Sequence, residues 1–492
     1  MSSRILVLGL GSRGGGEGVV RFLHDQGHQV RVSDRGSLAS NLPALERLAT
    51  LSGVSYHIAS ETKSDVDWAD WLVRNPAVPD SNPLVQEAVR QRKKIRGEMA
   101  LFFDGFDGTI IAVTGTKGKT STAHFAHHLL GMTSAGPTLV GNMGGSALDS
   151  LNLVPVGGVV VAEMSSFAIE LLDDAKPADI AVLTNLAHDH LDRYATVHDY
   201  WRSKAALFLA QHPHQWRCTP PRSQMPDMYD ASFQSKWFCV GAEAEEAESA
   251  IWIDRGQVVV RTGSLRRVLC QQSEIPVLGH HRVANVLGAV AAALASGVEF
   301  GVVRDRITDL PQVPHRLEPI LQSDGRLWVN DTAATTPTAA AAGIAALATN
   351  GPLTLICGGS SKGLDVGILV DAIAEPSNDL AVVLLDGDAT SDLQLALRSR
   401  GILVDGPYQS MRAAVEAANG IGGNVLLSPG FASFGMFRDE FDRGGAFVAE
   451  AYRVHSLNFS TEDQASLSQP RRPAISVFGE GTGQGLGTIR TV

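Results

Sequence analysis

The sequence predicts an α/β fold divided into about three domains, and three observations lead to this prediction. A chain of 492 residues is too long for a single hydrophobic core. A strand, a glycine-rich turn and a helix follow one another twice, at residues 4–26 and 110–130. Between residues 327 and 452, apolar runs of strand length alternate with helical stretches, which is typical of parallel sheets covered by helices.

The first of these patterns predicts a nucleotide-binding βαβ unit. A strand from Arg4 to Leu10 runs into the motif G-x-G-x-x-G at residues 9–14, and a helix (17–26) and a second strand (29–33) follow. Asp34 stands 20 residues after the last glycine, the spacing at which an acidic side chain meets a ribose hydroxyl. The motif alone indicates NAD. The glycines would equally suit simple packing, and the ATP-type loop downstream argues against a plain dehydrogenase.

The second pattern predicts a phosphate-binding loop. Ile110 to Val113 form a buried strand, after which Gly115 and Gly118 allow backbone N–H groups to turn toward an anion at the start of a helix. Lys119 would neutralise phosphate charge, and the hydroxyl of Thr120 would bind Mg²⁺. The pattern is not a strict Walker A, because valine stands at its first glycine, so an ordinary strand-to-helix turn is the alternative. The predicted nucleotide-binding residues of the loop are Gly115, Thr116, Lys117, Gly118, Lys119, Thr120 and Ser121.

Acidic, histidine and lysine side chains follow the next strands. The strand Val159 to Ala162 ends at Glu163, the next strand precedes His190, and the helix after it carries Lys204. Ligands bind at the carboxyl ends of parallel strands, so these residues belong with the phosphate loop. Thr120 and Glu163 would hold one Mg²⁺, and His190 would help to hold a second. Taken singly, each is better explained as a helix cap or a hydrogen-bonded polar residue; together they favour an ATPase or an ATP-driven ligase.

Composition excludes several classes of function. The net charge is −11, which gives no electrostatic basis for binding nucleic acid. The four cysteines, Cys218, Cys239, Cys270 and Cys357, fit neither a zinc site nor a small disulfide scaffold. No apolar run reaches the roughly 18 residues of a membrane span, and no basic and apolar leader begins the chain. We therefore expect a soluble cytoplasmic protein.

Turn-rich segments near residues 106 and 311–314 predict the domain boundaries. The expected domains are residues 1–105, 106–314 and 315–459, followed by a disordered Ser-, Gln-, Pro- and Gly-rich tail at 460–492. Three short strand-like runs between residues 249 and 270 predict a small antiparallel extension, and residues 211–248 receive no assignment. The other predicted strands are Asp67 to Val73, Asp179 to Leu183, Leu327 to Val329, Leu353 to Ile356, Leu380 to Leu385 and Val425 to Leu427. The other predicted helices are Pro83 to Arg92, Ala123 to Leu130, Val197 to Leu209, Val283 to Ala295, Thr338 to Ala348, Val366 to Ala374, Met411 to Ala418 and Glu440 to Tyr452.

An ordered set of motifs across residues 4–453 resembles the Mur ligases of peptidoglycan assembly. The matching segments are Thr114 to Thr120, Glu163 to Phe167, Asn185 to Tyr194, Lys204, Pro314 to Arg316, Asn330-Asp331, Gly358 to Gly363 and Leu427 to Pro429. The resemblance explains the incomplete Walker A pattern, because the family's phosphate loop is shortened. An ordered set of this kind is much more specific than any one motif.

The resemblance implies three domains with separate tasks. A Rossmann-like N-terminal domain would bind the UDP part of the substrate, which converts the NAD-like motif into a UDP site. A P-loop mononucleotide-binding central domain with a parallel sheet would bind ATP, and a Rossmann-like C-terminal domain would bring the amino acid. The implied reaction is ATP-dependent addition of D-glutamate to UDP-N-acetylmuramoyl-L-alanine through an acyl phosphate. The implied cofactors are Mg²⁺ at two sites and a carbamylated Lys204, in a monomer.

The resemblance also implies roles for individual residues. The expected catalytic residues are Lys119, His190, Lys204 and Lys362, and the expected metal ligands are Thr120, Glu163, His190 and Lys204. Besides the phosphate loop, ATP would contact Asn285, Arg316 and Asp331. The expected substrate-binding residues are Ser12, Arg13, Asp34, Asn142, Ser165, Thr335, Lys362 and Ser433.

Four positions depart from the family pattern. Where the glutamate-adding members usually have lysine, this chain has Ala333; it also has Arg282, Gly435 and Glu440 where asparagine, aspartate and an aromatic residue are common. These positions cluster at the expected ATP and glutamate sites. The alternatives are a sister ligase for another amino acid such as L-glutamate, a nucleotide-binding scaffold without catalysis, and an NAD oxidoreductase. Folylpolyglutamate synthases share the chemistry, but the N-terminal UDP-type domain argues against them.

Overall fold

The computed structural model describes residues 2–11, 13–131, 137–142, 145–187, 189, 193–225, 233–348, 350–375 and 379–455. Within these ranges the chain forms three sheets that follow one another along the sequence, as an α/β protein of three domains. The predicted residues Ser12 and His190 and the predicted tail at 460–492 lie outside the described residues. No helix in the described part is both long enough and apolar enough to cross a membrane.

The N-terminal sheet is wholly parallel, with the strand order β3-β2-β1-β4-β5. Its strands are β1 (Arg4–Leu8), β2 (Gln29–Asp34), β3 (Ser55–Ile58), β4 (Trp71–Arg74) and β5 (Ile95–Arg96). Its helices are α1 (Gly15–Asp25), α2 (Leu38–Leu48), α3 (Lys63–Trp68), α4 (Pro83–Arg90) and α5 (Glu98–Gly105). Helices on the sheet exclude water from β1, which is why its residues from Ile5 onward are all apolar and buried.

Two predictions in this domain are wrong in detail. The predicted strand from Asp67 to Val73 is the end of α3 followed by β4, because a capping box between Thr62 and Asp65 starts a helix just upstream. The turn-rich segment near residue 106 is shorter than predicted, because α5 continues to Gly105 and its apolar residues are buried.

The central sheet has the order β14-β13-β12-β11-β10-β9-β6-β8-β7. Its strands are β6 (Thr109–Thr114), β7 (Thr138–Gly141), β8 (Val159–Glu163), β9 (Ile180–Leu183), β10 (Trp216–Thr219), β11 (Lys236–Val240), β12 (Ser249–Asp254), β13 (Gln257–Thr262) and β14 (Leu265–Gln271). Its helices are α6 (Lys119–Leu130), α7 (Ser166–Ile169), α8 (Val197–Leu209), α9 (His280–Ala295) and α10 (Phe300–Ile307). The strands from β12 to β14 pair in antiparallel fashion, which confirms the predicted extension.

The segment without a sequence assignment, residues 211–248, supplies β10 and β11. Both are parallel strands that carry the sheet from β9 out to β12. In β10 arginine and threonine interrupt the apolar residues, so it lacks the continuous apolar run that identifies a buried strand. In β11 the four apolar residues at 237–240 form such a run and were a usable signal.

The C-terminal sheet has the order β15-β16-β20-β17-β18-β19, and only its first pair, β15 with β16, is antiparallel among the described strands. Its strands are β15 (Glu318–Ser323), β16 (Arg326–Asn330), β17 (Leu353–Cys357), β18 (Leu380–Leu385), β19 (Val404–Tyr408) and β20 (Asn424–Leu427). Its helices are α11 (Pro337–Leu347), α12 (Gly367–Ala374), α13 (Thr390–Ser399), α14 (Met411–Ile421) and α15 (Glu440–Val454).

The topology places the predicted motifs at one edge of the central sheet. Strands β9, β6 and β8 are neighbours and run in the same direction, so the segments that follow them meet. Residues 313–317 then lead from the central domain to β15, which brings the first residues of the C-terminal domain beside the phosphate loop.

Candidate active site

The phosphate loop follows β6 and ends at the first turn of α6. Gly115 and Gly118 have φ values of 145° and 85°, in the region that favours glycine. A Cβ on Gly115 would lie 1.9 Å from Thr184 Oγ1, and a Cβ on Gly118 would lie 2.2 Å from Asn285 Oδ1. Backbone conformation and close packing therefore both require glycine at these two positions.

The segment after β9 holds the loop in shape. The side chain of Asn185 accepts a bond from Lys117 N (3.0 Å) and donates to Lys117 O (2.9 Å). Thr116 Oγ1 accepts a bond from Ala187 N at 3.0 Å, and the Lys117 ammonium lies 3.0 Å from Asp189 Oδ2. Sequence reasoning assigned no role to Asn185, although its position directly after a buried strand was a usable signal.

Lys119 is the first residue of α6, and its ammonium folds back over the loop. Nζ donates to the carbonyl oxygens of Gly115 (3.0 Å) and Thr116 (2.9 Å). Burial lowers the pKa of Lys119 to about 8, while the negative charge of Glu163 acts in the opposite direction. The loop therefore carries a charged donor at neutral pH, close to the backbone that would surround a phosphate.

Glu163 and Thr120 are suited to Mg²⁺. Glu163 ends β8 and is buried; its Oε1 is 3.5 Å from Asn142 Nδ2, whereas its Oε2 has no hydrogen-bond partner in the described part of the chain. A buried carboxylate oxygen without a partner is costly in the absence of a cation, and a carboxylate and a hydroxyl are hard ligands of the kind Mg²⁺ prefers. Thr120 Oγ1 accepts a bond from Arg316 Nη2 at 3.0 Å. The donor set therefore fits the predicted metal.

Lys204 lies on α8 with only 1% of its surface exposed. Burial, reinforced by the positive charge of Lys119, lowers the pKa of Lys204 to about 6. Its Nζ is 4.6 Å from the centre of the Tyr200 ring, and Tyr194 packs between that ring and Phe167. The amine is therefore mainly neutral at pH 7 and nucleophilic, and a neutral amine is the form that reacts with CO₂.

Asp34 and Arg13 stand at the glycine motif of the N-terminal domain. Asp34 Oδ2 accepts a bond from Leu10 N (2.8 Å), and Oδ1 accepts one from Gly36 N (2.6 Å), so the carboxylate braces the motif. The Arg13 side chain is exposed, and its carbonyl accepts a bond from Gly145 N across to the central domain.

Arg193 makes a second connection between these domains. Its guanidinium donates to Pro76 O at 2.8 Å and stacks 3.9 Å from the centre of the Phe167 ring. Sequence reasoning matched Arg193 to a motif and gave it no role.

The predicted adenosine residues divide between two domains. Asn285 lies on α9 against Gly118 of the loop. Asp331 follows β16, and its carboxylate accepts bonds from Ser428 Oγ (2.8 Å) and Leu317 N (3.1 Å). Burial raises the pKa of Asp331 to about 6. The phosphate loop thus meets Asn285 directly, whereas Asp331 is joined to the segment that carries Arg316.

The predicted amino-acid residues only partly converge. Lys362 Nζ donates to Thr335 Oγ1 at 2.9 Å, and both line a small, open surface pocket. The other lining residues are Pro337, Ser361, Leu364, Gly430 and Phe431. Partial burial and the positive charge of Lys117 lower the pKa of Lys362, so Lys362 lies within electrostatic range of the phosphate loop. Ser433 is buried outside the lining, and Ser165 Oγ caps α7 by accepting a bond from Ala168 N.

Two family descriptions match this chain. The Mur ligase middle domain matches residues 113–293, and the N-terminal domain described as Mur ligase MurD-like matches residues 3–97. These matches cover the glycine motif, the phosphate loop, Glu163, Lys204 and Asn285.

Curated relatives extend the similarity to 90% or more of this chain. The UDP-N-acetylmuramoylalanine–D-glutamate ligase of Roseiflexus sp. (strain RS-1) is 39% identical over 468 residues, which is 90% of this chain and 97% of the relative. The ligases of the same name from Pelotomaculum thermopropionicum and Symbiobacterium thermophilum are 31% and 30% identical, over 90% and 91% of this chain and 96% and 97% of theirs.

Solved structures support the fold. UDP-N-acetylmuramate–alanine ligase MurC from Thermotoga maritima aligns with a TM-score of 0.55 and 19% identity, over 92% of this chain and 99% of that one. MurF ligase from the same organism, in complex with ADP, aligns with a TM-score of 0.55 and 16% identity, over 92% and 95%.

Proposed function

The chain belongs to the Mur ligase family, and we propose that it catalyses ATP-dependent addition of D-glutamate to UDP-N-acetylmuramoyl-L-alanine in peptidoglycan precursor synthesis. The observation that carries this proposal is the arrangement around Lys119. The phosphate loop carries Lys119, and the buried carboxylate of Glu163 keeps one oxygen without a hydrogen-bond partner among the described residues. The neutral amine of Lys204 lies near Lys119, and Lys362, which lines the pocket with Thr335, lies within electrostatic range of Lys117 in the loop.

Each domain takes one reactant in this proposal. The N-terminal glycine motif binds the UDP moiety beside Ser12 and Arg13, with Asp34 fixing the shape of the motif. The central loop binds ATP, and the pocket of Lys362 in the C-terminal domain binds glutamate. We place the boundaries between the domains near residues 106 and 314. We further propose that the enzyme acts as a monomer in the cytoplasm.

The first chemical step joins two anions, so charge neutralisation is the main requirement. The alanine carboxylate attacks the γ-phosphorus, ADP leaves, and an acyl phosphate forms. Lys119 and Arg316 supply positive charge at the loop, and Thr120 and Glu163 would hold Mg²⁺. When bound, Mg²⁺ would offset the negative charge that develops on the phosphate groups. His190 is the proposed further ligand.

The second step forms the amide bond. The glutamate amine attacks the acyl carbon, a tetrahedral intermediate forms, and inorganic phosphate leaves. Lys362, which lines the pocket with Thr335, lies within electrostatic range of the phosphate loop, so an amino acid held there would present its amine toward the acyl phosphate. Lys362 would pair with a carboxylate of the amino acid.

Lys204 would act as a carbamate. Its neutral amine attacks CO₂, a C–N bond forms and a proton is released, which turns a buried neutral amine into an anion. That anion lies near Lys119 and would serve the second Mg²⁺. Burial on α8 protects the carbamate from exchange with bulk water.

The experiment that tests this proposal is an assay of phosphate release with ATP, Mg²⁺ and UDP-N-acetylmuramoyl-L-alanine. D-glutamate, L-glutamate, D-aspartate, meso-diaminopimelate and L-lysine are offered in parallel. We expect turnover with D-glutamate alone. Turnover with another amino acid would move the enzyme to a sister specificity, and no turnover with any of them would support a scaffold without catalysis.

A further inference from the structure

The segment that leads into the C-terminal domain has an unusual backbone. His315 and Leu317 have φ values of 64° and 43°, in the left-handed region that residues with a Cβ seldom adopt. Arg316 stands between them and donates to Thr120 Oγ1 in the phosphate loop. Such a conformation persists only where the surroundings hold it, so the contacts of these three residues decide whether Arg316 reaches the loop.

Most of those contacts come from the C-terminal domain. His315 N donates to Glu318 Oε2 at 2.8 Å, and Leu317 N donates to Asp331 Oδ1 at 3.1 Å. The carbonyl of Leu317 is instead bonded to the central domain. It accepts a bond at 3.2 Å from Nη1 of Arg282, which lies in the first turn of α9 in the central domain. Leu317 is thus held by one domain at its N–H and by the other at its carbonyl.

Arg282 is unusually placed for an arginine. It is 2% exposed, its guanidinium lies 5.6 Å from the centre of the Phe125 ring on α6, and no described residue forms a hydrogen bond with its Nε or Nη2. A buried guanidinium with two unpaired donors lowers stability, and Ala would avoid this cost. A residue kept at such a cost is expected to contribute elsewhere.

We propose that Arg282 is a positioning residue: its hydrogen bond to the carbonyl of Leu317 holds Arg316 against Thr120 of the phosphate loop. Arg282 acts through Arg316 and does not itself touch the reacting atoms. The inference rests on the proposed function only for its activity measurements, since nucleotide binding reports on the same contact independently.

The test is a double-mutant cycle on Arg282 and Arg316. We expect R316A to lower kcat/KM for ATP about 100-fold, since it removes a charged donor at the phosphates. We expect R282A alone to lower kcat/KM for ATP about 20-fold relative to the wild type. Added to R316A, the same substitution should lower kcat/KM less than about 3-fold relative to R316A. R282K, which retains one charged donor able to reach Leu317 O, should recover most of the loss. The dissociation constant of Mg·ADP, measured by calorimetry, should follow the same pattern.

R326K is the matched control. Arg326 is a partly buried arginine that also donates to backbone carbonyls, those of Gly423 and Asn419, away from Leu317. Its replacement should change melting temperature without changing kcat/KM more than about 2-fold. Full additivity of R282A and R316A would overturn the proposal, as would an R282A protein that melts earlier with unchanged kinetics and Mg·ADP affinity. If the wild type shows no ligation, the proposed function fails, and the calorimetric cycle still decides the role of Arg282.

Discussion

The chain contains two glycine turns of the same shape that differ in chemistry. Gly14 and Gly118 cap α1 and α6 with almost equal φ values, 87° and 85°, and each turn follows a buried parallel strand. In the first turn the nearby carboxylate, Asp34, accepts bonds from Leu10 N in the motif and from Gly36 N after β2. In the second turn a lysine lies on the loop, and a buried carboxylate has an oxygen that no described residue pairs with. Glycines set the shape of such a turn, and the side chains around it set the chemistry.

Of the substitutions that test this comparison, the one at Lys119 should have the largest effect on activity. We expect K119A to lower kcat for phosphate release at least about 1000-fold, because the loop loses the charge that faces the γ-phosphate. Binding of the UDP substrate, measured by calorimetry, should remain within about 2-fold, since the first turn is untouched. K94A is the control, because Lys94 forms an exposed ion pair with Asp174 and should retain activity. Retention of phosphate release by K119A would remove the lysine from the reaction.

Substitution of Lys204 should cause the second largest loss of activity. We expect K204A to lower kcat about 100-fold or more, because the second Mg²⁺ would lose an anionic ligand. Wild-type protein supplied with ¹³C-bicarbonate should show a carbamate resonance that K204A lacks. The resonance should strengthen as pH rises through about 6, where the amine loses its proton. K236A, at an exposed lysine over Trp216, is the control. Full activity of K204A would exclude this role, and an active wild type without the resonance would exclude the carbamate.

Sequence patterns predicted well those elements whose limits are set locally. Helix α8 has the predicted bounds because Thr196 caps it, and β18 has the predicted bounds because its apolar run ends abruptly. The unpredicted β15 and β19 lie at edges of the C-terminal sheet and contain proline, which edge strands tolerate and propensity rules penalise. Their place in the sheet depends on partners distant in sequence.

The candidate site likewise contains a part that local sequence predicted and contacts that it did not predict. The phosphate loop is continuous in sequence, so its residue types and spacing were enough to locate it. The hydrogen bond from Arg282 to the carbonyl of Leu317 joins residues 35 apart in sequence, and the hydrogen bond from Arg316 to Thr120 joins residues 196 apart. Side-chain contacts of this kind depend on how two domains meet, which no local pattern encodes.

The two capping glycines allow a direct test of the comparison. A Cβ on Gly118 would meet Asn285 Oδ1 at 2.2 Å, whereas a Cβ on Gly14 would approach nothing closer than Gly145 Cα at 3.6 Å. We expect G118A to raise KM for ATP about 50-fold or more, because both the backbone and Asn285 must shift. G14A should raise KM for the UDP substrate less than about 10-fold, because only the cost of a positive φ, about 1 kcal/mol, applies. Equal effects would mean that backbone strain alone decides both turns.

Asp34 gives the smallest expected effect and separates a structural carboxylate from one that binds ligand. In D34N one oxygen becomes an NH₂ group, which cannot accept the bond from Leu10 N or Gly36 N and instead faces that donor. The loss of one such bond, about 1–1.4 kcal/mol, should raise KM for the UDP substrate about 5- to 10-fold. KM for ATP should stay within about 2-fold, because the second turn has its own supports in Asn185 and Thr116. D67N, at an exposed carboxylate that accepts a bond from Gln91, is the control. If D34N changes both KM values equally, Asp34 affects the fold as a whole, and the two turns do not act separately.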